Sequence, residues 1–224
     1  MLDVTRPDGV KAIVEAAFKH FGRLDIVVNN AGFGLLGVVE EVSLEEYREV
    51  METNFYGALQ VTQAVLPYLR AQRQGHILQM SSTSGFRGTT GFGAYNASKF
   101  ALEGMSEALA QEVAPYNIKV TIVEPGPLRT NFAGAGIKAA KKHIKEYDTT
   151  AGAFTASMRA GHNEQAGDPA KAAKVLMELV NTDNLPLHLP LGKFAFDVIR
   201  AKLQKMQQEL DKWESFASKT SFET

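Results

Sequence analysis

Two alternating periods constrain what this 224-residue chain can fold into. Short, nearly continuous apolar runs occur at Leu24–Val28, Gly75–Met80 and Lys119–Val123. Between them lie longer segments whose apolar residues recur every three or four positions, as Val10, Ile13, Val14, Ala17 and Phe18 do between Pro7 and Phe21. A strand that is apolar on both sides is covered on both sides, which is the habit of a parallel sheet. Parallel strands in turn need crossover connections, usually helices. The expected class is therefore α/β, a doubly wound parallel sheet between two helical layers.

The remaining elements come from the same pattern. A long helix is expected over Ser43–Arg70, opened by the capping sequence Ser43-Leu44-Glu45-Glu46. A strand comes next at His76–Ser81, then a helix from Ala94 to about Pro115. Ala133–Gly167 is rich in Gly and Ala and reads as a mobile lid. Asp168-Pro169 opens another helix, with proline at its first position. Leu185–Leu191 reads as the last strand and Phe194–Phe216 as a terminal helix. No repeat or linker divides residues 1–224, so one domain is expected.

Composition narrows the function class. A formal net charge of −1 gives no general attraction to nucleic acid or anionic membrane. No apolar run approaches the ~20 residues needed to span a bilayer. The chain has no cysteine, hence no disulfide and no thiolate chemistry; this fits a reducing compartment, and the expected location is cytoplasmic. The five histidines show no paired ligand spacing, so no metal is expected.

The chemistry centres on Tyr95-Asn96-Ala97-Ser98-Lys99, because Tyr95 alone among the six tyrosines has a lysine four residues later. On a helix both side chains share a face. An ammonium beside a phenol favours the phenolate and moves its pKa toward neutrality, where it can exchange a proton with a carbonyl or alcohol oxygen. Ser82 lies thirteen residues upstream, just past an apolar strand, where open α/β sheets bind ligands. Asn54 and the run Asn29-Asn30-Ala31-Gly32 complete the set. Singly, each motif also has a purely local explanation: Ser81 and Ser82 as a cap, Asn54 as a buried group paired with backbone, Asn-Asn-Ala-Gly as a turn.

Together, in this order and spacing, the motifs resemble the short-chain dehydrogenase/reductase family across nearly the whole chain, including Pro125-Gly126 and Thr130. The resemblance implies a Rossmann-like fold and a catalytic tetrad of Asn54, Ser82, Tyr95 and Lys99. Tyr95 would be the acid/base, Ser82 the orienter of the substrate oxygen, Lys99 the ribose ligand that lowers the tyrosine pKa, and Asn54 the holder of a water in a proton relay. It further implies a nicotinamide cofactor, NADP or NAD with NADP slightly favoured, contacted by Asp3, Asn30, Ala31, Gly32, Tyr95, Lys99, Pro125, Gly126 and Thr130. The stretch Pro186–Gly192 and the terminal helix are similar to the 17β-hydroxysteroid- and retinol-dehydrogenase-like branch. The implied partners are a small apolar carbonyl or alcohol and a second copy of the chain, in a homodimer or homotetramer built on the helices Ser43–Arg70 and Ala94–Pro115.

No Gly-rich phosphate-binding turn precedes Asn29. Such folds open with strand, Gly-rich turn and helix, so about 55 residues, one βαβ part, are expected to be missing before Met1. The rival reading is a cofactor-free remnant that acts as a binding or assembly module. Two further features are read as structural. Lys138, Lys141, Lys142 and Lys145 form a basic helix face on the lid, expected to be solvated. Ile199, Leu203, Met206, Leu210 and Trp213 form a stripe expected to pack on its own domain.

Overall fold

The computed structural model describes residues 2–161, 163–220 and 222; Met1, and His162 within the expected lid, lie outside the described residues. In chain order the elements are α1 (Pro7–Phe21), β1 (Ile26–Asn29), β2 (Gly34–Leu36), α2 (Leu44–Met51), α3 (Gly57–Gln72), β3 (Gly75–Met80), α4 (Thr83–Phe86), α5 (Gly93–Val113), β4 (Ile118–Pro125), β5 (Ile137–Ala139), α6 (Gly152–Ala160), α7 (Pro169–Leu179), β6 (His188–Leu191) and α8 (Lys193–Ala217). The main sheet is parallel, in the order β1-β3-β4-β6. Its register sets Ile77 beside Val27 on one side and Val120 on the other.

Helices cover both faces of this sheet. On one, Val10 and Val14 of α1, Val61, Val65 and Leu69 of α3, and Leu109 and Val113 of α5 pack on Ile77 and Val120. On the other, Leu78, Val123 and Leu191 meet Ala172, Leu176 and Leu179 of α7. The fold is thus the expected three-layer α/β/α arrangement. β1 departs from the expectation of cover on both sides: Ile26 and Val28 are 46% and 49% exposed, because no described helix packs over that face.

Local signals explain the boundaries. Ser43 and Glu46 form a reciprocal capping box at the start of α2, and Asp168 caps α7 ahead of Pro169. The long helix expected over Ser43–Arg70 is instead α2 and α3 joined by a π turn at Glu52–Tyr56, which the Gly57 N–H closes on the carbonyl of Glu52. Gly57 must lack a side chain, since a Cβ there would stand 2.6 Å from Val4 Cγ2.

Three expectations are corrected. The lid segment is not a free loop: β5 pairs in parallel with β2, Tyr147 donates to Glu40 at 2.7 Å, and the Ile144 N–H donates to Glu41 at 2.8 Å. The four lysines do not share a helix face. Lys138 lies in β5, where it pairs with Glu49, Lys141 and Lys142 lie in the turn beyond, and Lys145 opens a short 3₁₀ turn. Strand pairing with β2 overrides the helical propensity of that Ala- and Lys-rich stretch. The α8 stripe does not pack on its own domain: Ala195, Val198 and Ile199 are buried, whereas Leu203, Leu210 and Trp213 are 51%, 63% and 52% exposed.

His76 of β3 gives the core a pH dependence. It is buried, with Nε2 2.9 Å from Thr121 Oγ1, and burial, with Lys119 nearby, pushes its imidazole down to about 4. An unfolded histidine titrates near ~6.5, so the neutral ring contributes stability that is full above that pH and is lost as pH falls toward 4. The shift corresponds to roughly 3 kcal/mol. Urea unfolding at pH 7 and pH 4.5 should show a smaller stability loss in His76→Gln than in the parent. Equal losses in the two proteins would contradict this.

Candidate active site

The site gathers at the carboxyl ends of β1, β3 and β4, where an open parallel sheet leaves a crevice. Asn29 anchors the first of these ends: its amide donates to Thr62 Oγ1 at 3.0 Å and Gln79 Oε1 at 2.9 Å, tying β1 to α3 and β3. Beyond it Asn30, Ala31 and Gly32 are exposed and floor the crevice. A cavity of about 220 Å³ opens there, lined by Leu2, Val4, Val28, Asn29, Asn30, Ala31, Ala58 and Val61. Asp3 stands between two of these residues but is itself exposed. It accepts from the hydroxyl and N–H of Thr5, at 2.7 and 3.0 Å, and those bonds hold its carboxyl below the usual range.

Asn54 sits in the π turn, 1% exposed, and works as a clamp. Its Oδ1 accepts from the Phe33 N–H at 3.0 Å, while its amide donates to the Phe33 carbonyl at 2.9 Å and Ser98 Oγ at 3.0 Å. The loop after β1 is thereby fastened to α5. Gly32 lets the loop pass close to this clamp: a Cβ would stand 3.1 Å from Asn54 Oδ1 and 3.6 Å from Lys99 Nζ.

Ser82 caps α4, accepting from the Ser84 N–H at 3.1 Å, and its hydroxyl lies close enough to the Tyr95 phenol to favour the phenolate. The helix cap thus falls on the residue the sequence points to as the orienter of the substrate oxygen. Lys99 is buried one turn along α5 from Tyr95, its ammonium donating to the Met80 carbonyl at 2.6 Å and lying 5.7 Å from the centre of the Tyr95 ring. Pro125 and Gly126 close β4, with the Gly126 N–H donating to the Leu191 carbonyl at 3.0 Å. Thr130 caps the turn at Asn131–Ala133 through the Phe132 N–H, at 3.2 Å.

The electrostatics differ from the sequence expectation. Burial pushes the Tyr95 phenol up from its ordinary value and Ser82 draws it only partly back, so the net displacement is upward; the Lys99 ammonium donates to the Met80 carbonyl. Lys99 itself is pushed down to about 8 by burial, opposed by the charge of Glu103. The burial comes from the lid. Tyr95 stacks on Phe92, with centroids 4.5 Å apart, and is covered by Phe132, Ile137, Phe154 and Met158. The site is closed and holds a protonated phenol.

One group of residues was not legible in the sequence. Glu103, Glu124 and His188 bring ligand-type atoms within 4.8 Å of one another, although their sequence spacing shows nothing. Each is satisfied without an ion: Glu103 accepts from Ser81 at 2.5 Å, and His188 Nδ1 lies 2.7 Å from Glu124.

Residues 1–142 match the family model described as short chain dehydrogenase. An oxidoreductase of Botryotinia fuckeliana is 36% identical over 212 residues, covering 95% of this chain and 77% of that protein. Human retinol dehydrogenase 8 is 48% identical over 113 residues, 50% of this chain and 36% of that protein. The crystal structure of a short-chain dehydrogenase from Streptomyces avermitilis superposes with a TM-score of 0.90 at 36% identity, covering 99% of this chain and 79% of that one. ElxO with NADP bound gives a TM-score of 0.68 at 28% identity, covering 88% and 77%. An NAD-bound xylitol dehydrogenase gives 0.69 at 28%, covering 84% and 75%.

The clamp yields a stability test. Asn54→Ala removes the partner of the part-buried Phe33 amide and carbonyl and one of the two bonds of the Ser98 hydroxyl, which still donates to the Tyr95 carbonyl, so the expected cost is on the order of 2 kcal/mol. Urea denaturation should show the midpoint falling accordingly. A change under about 0.5 kcal/mol, the scale of an ordinary surface substitution, would mean the clamp is not structural.

Proposed function

Because the chain belongs to the short-chain dehydrogenase family, we propose that it moves a hydride between a nicotinamide cofactor and a carbonyl or secondary alcohol, with Tyr95 as acid/base. The observation that carries this reading is the buried pair Tyr95 and Lys99 one helical turn apart on α5, the ammonium 5.7 Å from the centre of the phenol ring, with Ser82 at the strand end beside them. When bound, the cofactor supplies or accepts the hydride, and the protein supplies position and the proton. Asn30, Ala31 and Gly32 would line the cofactor cleft, Pro125, Gly126 and Thr130 would contact its nicotinamide end and Asp3 its adenine; the cavity beside Leu2, Val4 and Ala58 fits a flat base. The neighbours hold NADP or NAD, which supports a nicotinamide cofactor of either kind; the preference for NADP rests on the family resemblance of the sequence alone.

In carbonyl reduction Ser82 would donate a hydrogen bond to the substrate oxygen while Tyr95 gives that oxygen its proton. Burial keeps the phenol protonated, the form this step needs. Lys99, held between Met80 and the acidic Glu103, would keep positive charge beside the phenolate left behind, and Asn54 would hold the relay water that restores the proton. An aromatic and aliphatic cover of Phe92, Phe132, Phe154 and Met158 suits an apolar carbonyl, and the segment carrying the last three must lift for substrate to reach Tyr95.

The test is titration of the protein with NADPH and NADH by nicotinamide fluorescence, then turnover of an apolar aldehyde or ketone. Tyr95→Phe should retain cofactor binding and lose about 10²–10⁴-fold in turnover. Near-native reduction by Tyr95→Phe would remove Tyr95 from the mechanism, and absence of nicotinamide binding would favour a binding module.

A self-complementary homodimer across α3 and α5 is also proposed. On α5, Phe100 is 46% exposed, and Gly104 faces open space between the exposed Ala97 and Ala108, permitting close approach of a twofold mate. Light scattering at tens of micromolar should give twice the chain mass or a multiple of it, and Phe100→Glu should shift it toward the monomer. A parent mass of one chain would contradict the proposal.

A further inference from the structure

One turn beyond Lys99 on α5 sits Glu103, 5% exposed. Its carboxylate accepts a hydrogen bond at 2.5 Å from Ser81, the neighbour of Ser82. The corner is built around that bond: a Cβ at Gly85 would stand 2.2 Å from Glu103 Oε1 and 2.4 Å from Ser81 Oγ. The same strand end is tied a second time, since Lys99 donates to the Met80 carbonyl at 2.6 Å. Met80 and Ser81, the two residues before Ser82, are therefore each fastened to α5, by side chains one helical turn apart.

Glu103 faces charge from every element around it. Glu124 of β4, 1% exposed, and Glu107 of α5 add negative charge, Lys99 of α5 adds positive charge, and the His188 imidazole of β6 lies beside the two neighbouring acids. His188 bridges the acids, with Nδ1 2.7 Å from Glu124 and Nε2 3.6 Å from Glu107. Burial raises Glu103 to about 7, with the Ser81 bond opposing, so its charge is responsive near neutrality. A latch alone would be served by a neutral acceptor. A buried carboxylate costs desolvation, and here that charge lies near the lysine of the reactive pair.

We infer that Glu103 is a positioning residue for the reaction at Tyr95: through Ser81 it latches the strand end carrying Ser82 onto the helix carrying Tyr95 and Lys99, and its negative charge supports the Lys99 ammonium. The inference rests on the hydride-transfer reading of that pair, but its two physical parts can be measured without turnover. When Glu103 takes up a proton, the acceptor for Ser81 weakens and Lys99 loses its nearby counter-charge.

The test uses the whole chain labelled with ¹³C-lysine, tracking the Lys99 Cε signal, assigned with Lys99→Arg, through a pH titration. The parent midpoint should lie near 8, below the ordinary 10.5, and Glu103→Gln should lower it further, by about half a unit or more. Amide exchange of Gly85 and Arg87, which close α4 on Ser82 and Thr83, should quicken about tenfold in Ser81→Ala. In Glu103→Gln, which keeps an acceptor, it should change little, and the same variant should lower kcat while leaving KM for the carbonyl near its parent value. An unchanged Lys99 midpoint in Glu103→Gln, or unchanged Gly85 and Arg87 exchange in Ser81→Ala, overturns the inference. If both shifts appear but neither parent nor variant turns over a carbonyl, the latch stands and the hydride-transfer reading fails.

Discussion

Every buried polar group must find a partner, and α5 buries more of them than any other element. Its first half hides Tyr95, Asn96, Ser98, Lys99 and Glu103 beside Ala94 and Leu102; its second half hides Leu109 and Val113, with Ser106 bonded back to the Leu102 carbonyl. The apolar half is held by nonspecific packing against α3 and the sheet. The polar half is held by directed bonds to other segments. Asn96 donates to the carbonyls of Ser84 and Arg87, Ser98 receives Asn54, Lys99 reaches Met80, and Glu103 receives Ser81. Each bond fixes a different strand end or turn against the same helix. The crevice has its shape because α5 cannot satisfy these groups in any other position.

The same burial sets the resting chemistry. With the aromatic cover closed, water is excluded from Tyr95 and Lys99 alike, and both are displaced toward their neutral forms. A pair that the sequence suggests as ammonium and phenolate is, in the closed state, a weakly acidic phenol beside a lysine whose charge is supported mainly by Glu103. Charge brought in with a ligand, or water admitted as the cover lifts, would change both values together.

How much was legible depended on distance along the chain. Tyr95 and Lys99 could be paired because four residues on a helix make one face, a local rule. Ser82 could be placed because a strand end is local too. The three-layer sheet could be read from runs apolar on both sides. Glu103, Glu124 and His188 could not be grouped, since they come from α5, β4 and β6 and meet only through strand order. The lysines at 138–145 were misread because local propensity favoured helix while a distant strand, β2, claimed the backbone. The stripe of α8 had the right period, but a period cannot say what a stripe packs against.

The π turn at Glu52–Tyr56 is also a shift of phase. A helix carries one apolar stripe, yet here Val50 of α2 must reach Leu35 and Ala94, while Val61, Val65 and Leu69 of α3 must reach the sheet. A wide turn accommodates one extra residue, which offsets the downstream side chains by about 100° of helical rotation. The chain thereby serves two cores with one continuous rod. Deleting a single residue between Glu52 and Tyr56 would let the turn close to ordinary α geometry with α3 still on the sheet, and the loss would fall on Asn54, whose bonds to Phe33 and Ser98 depend on its place in the widened turn.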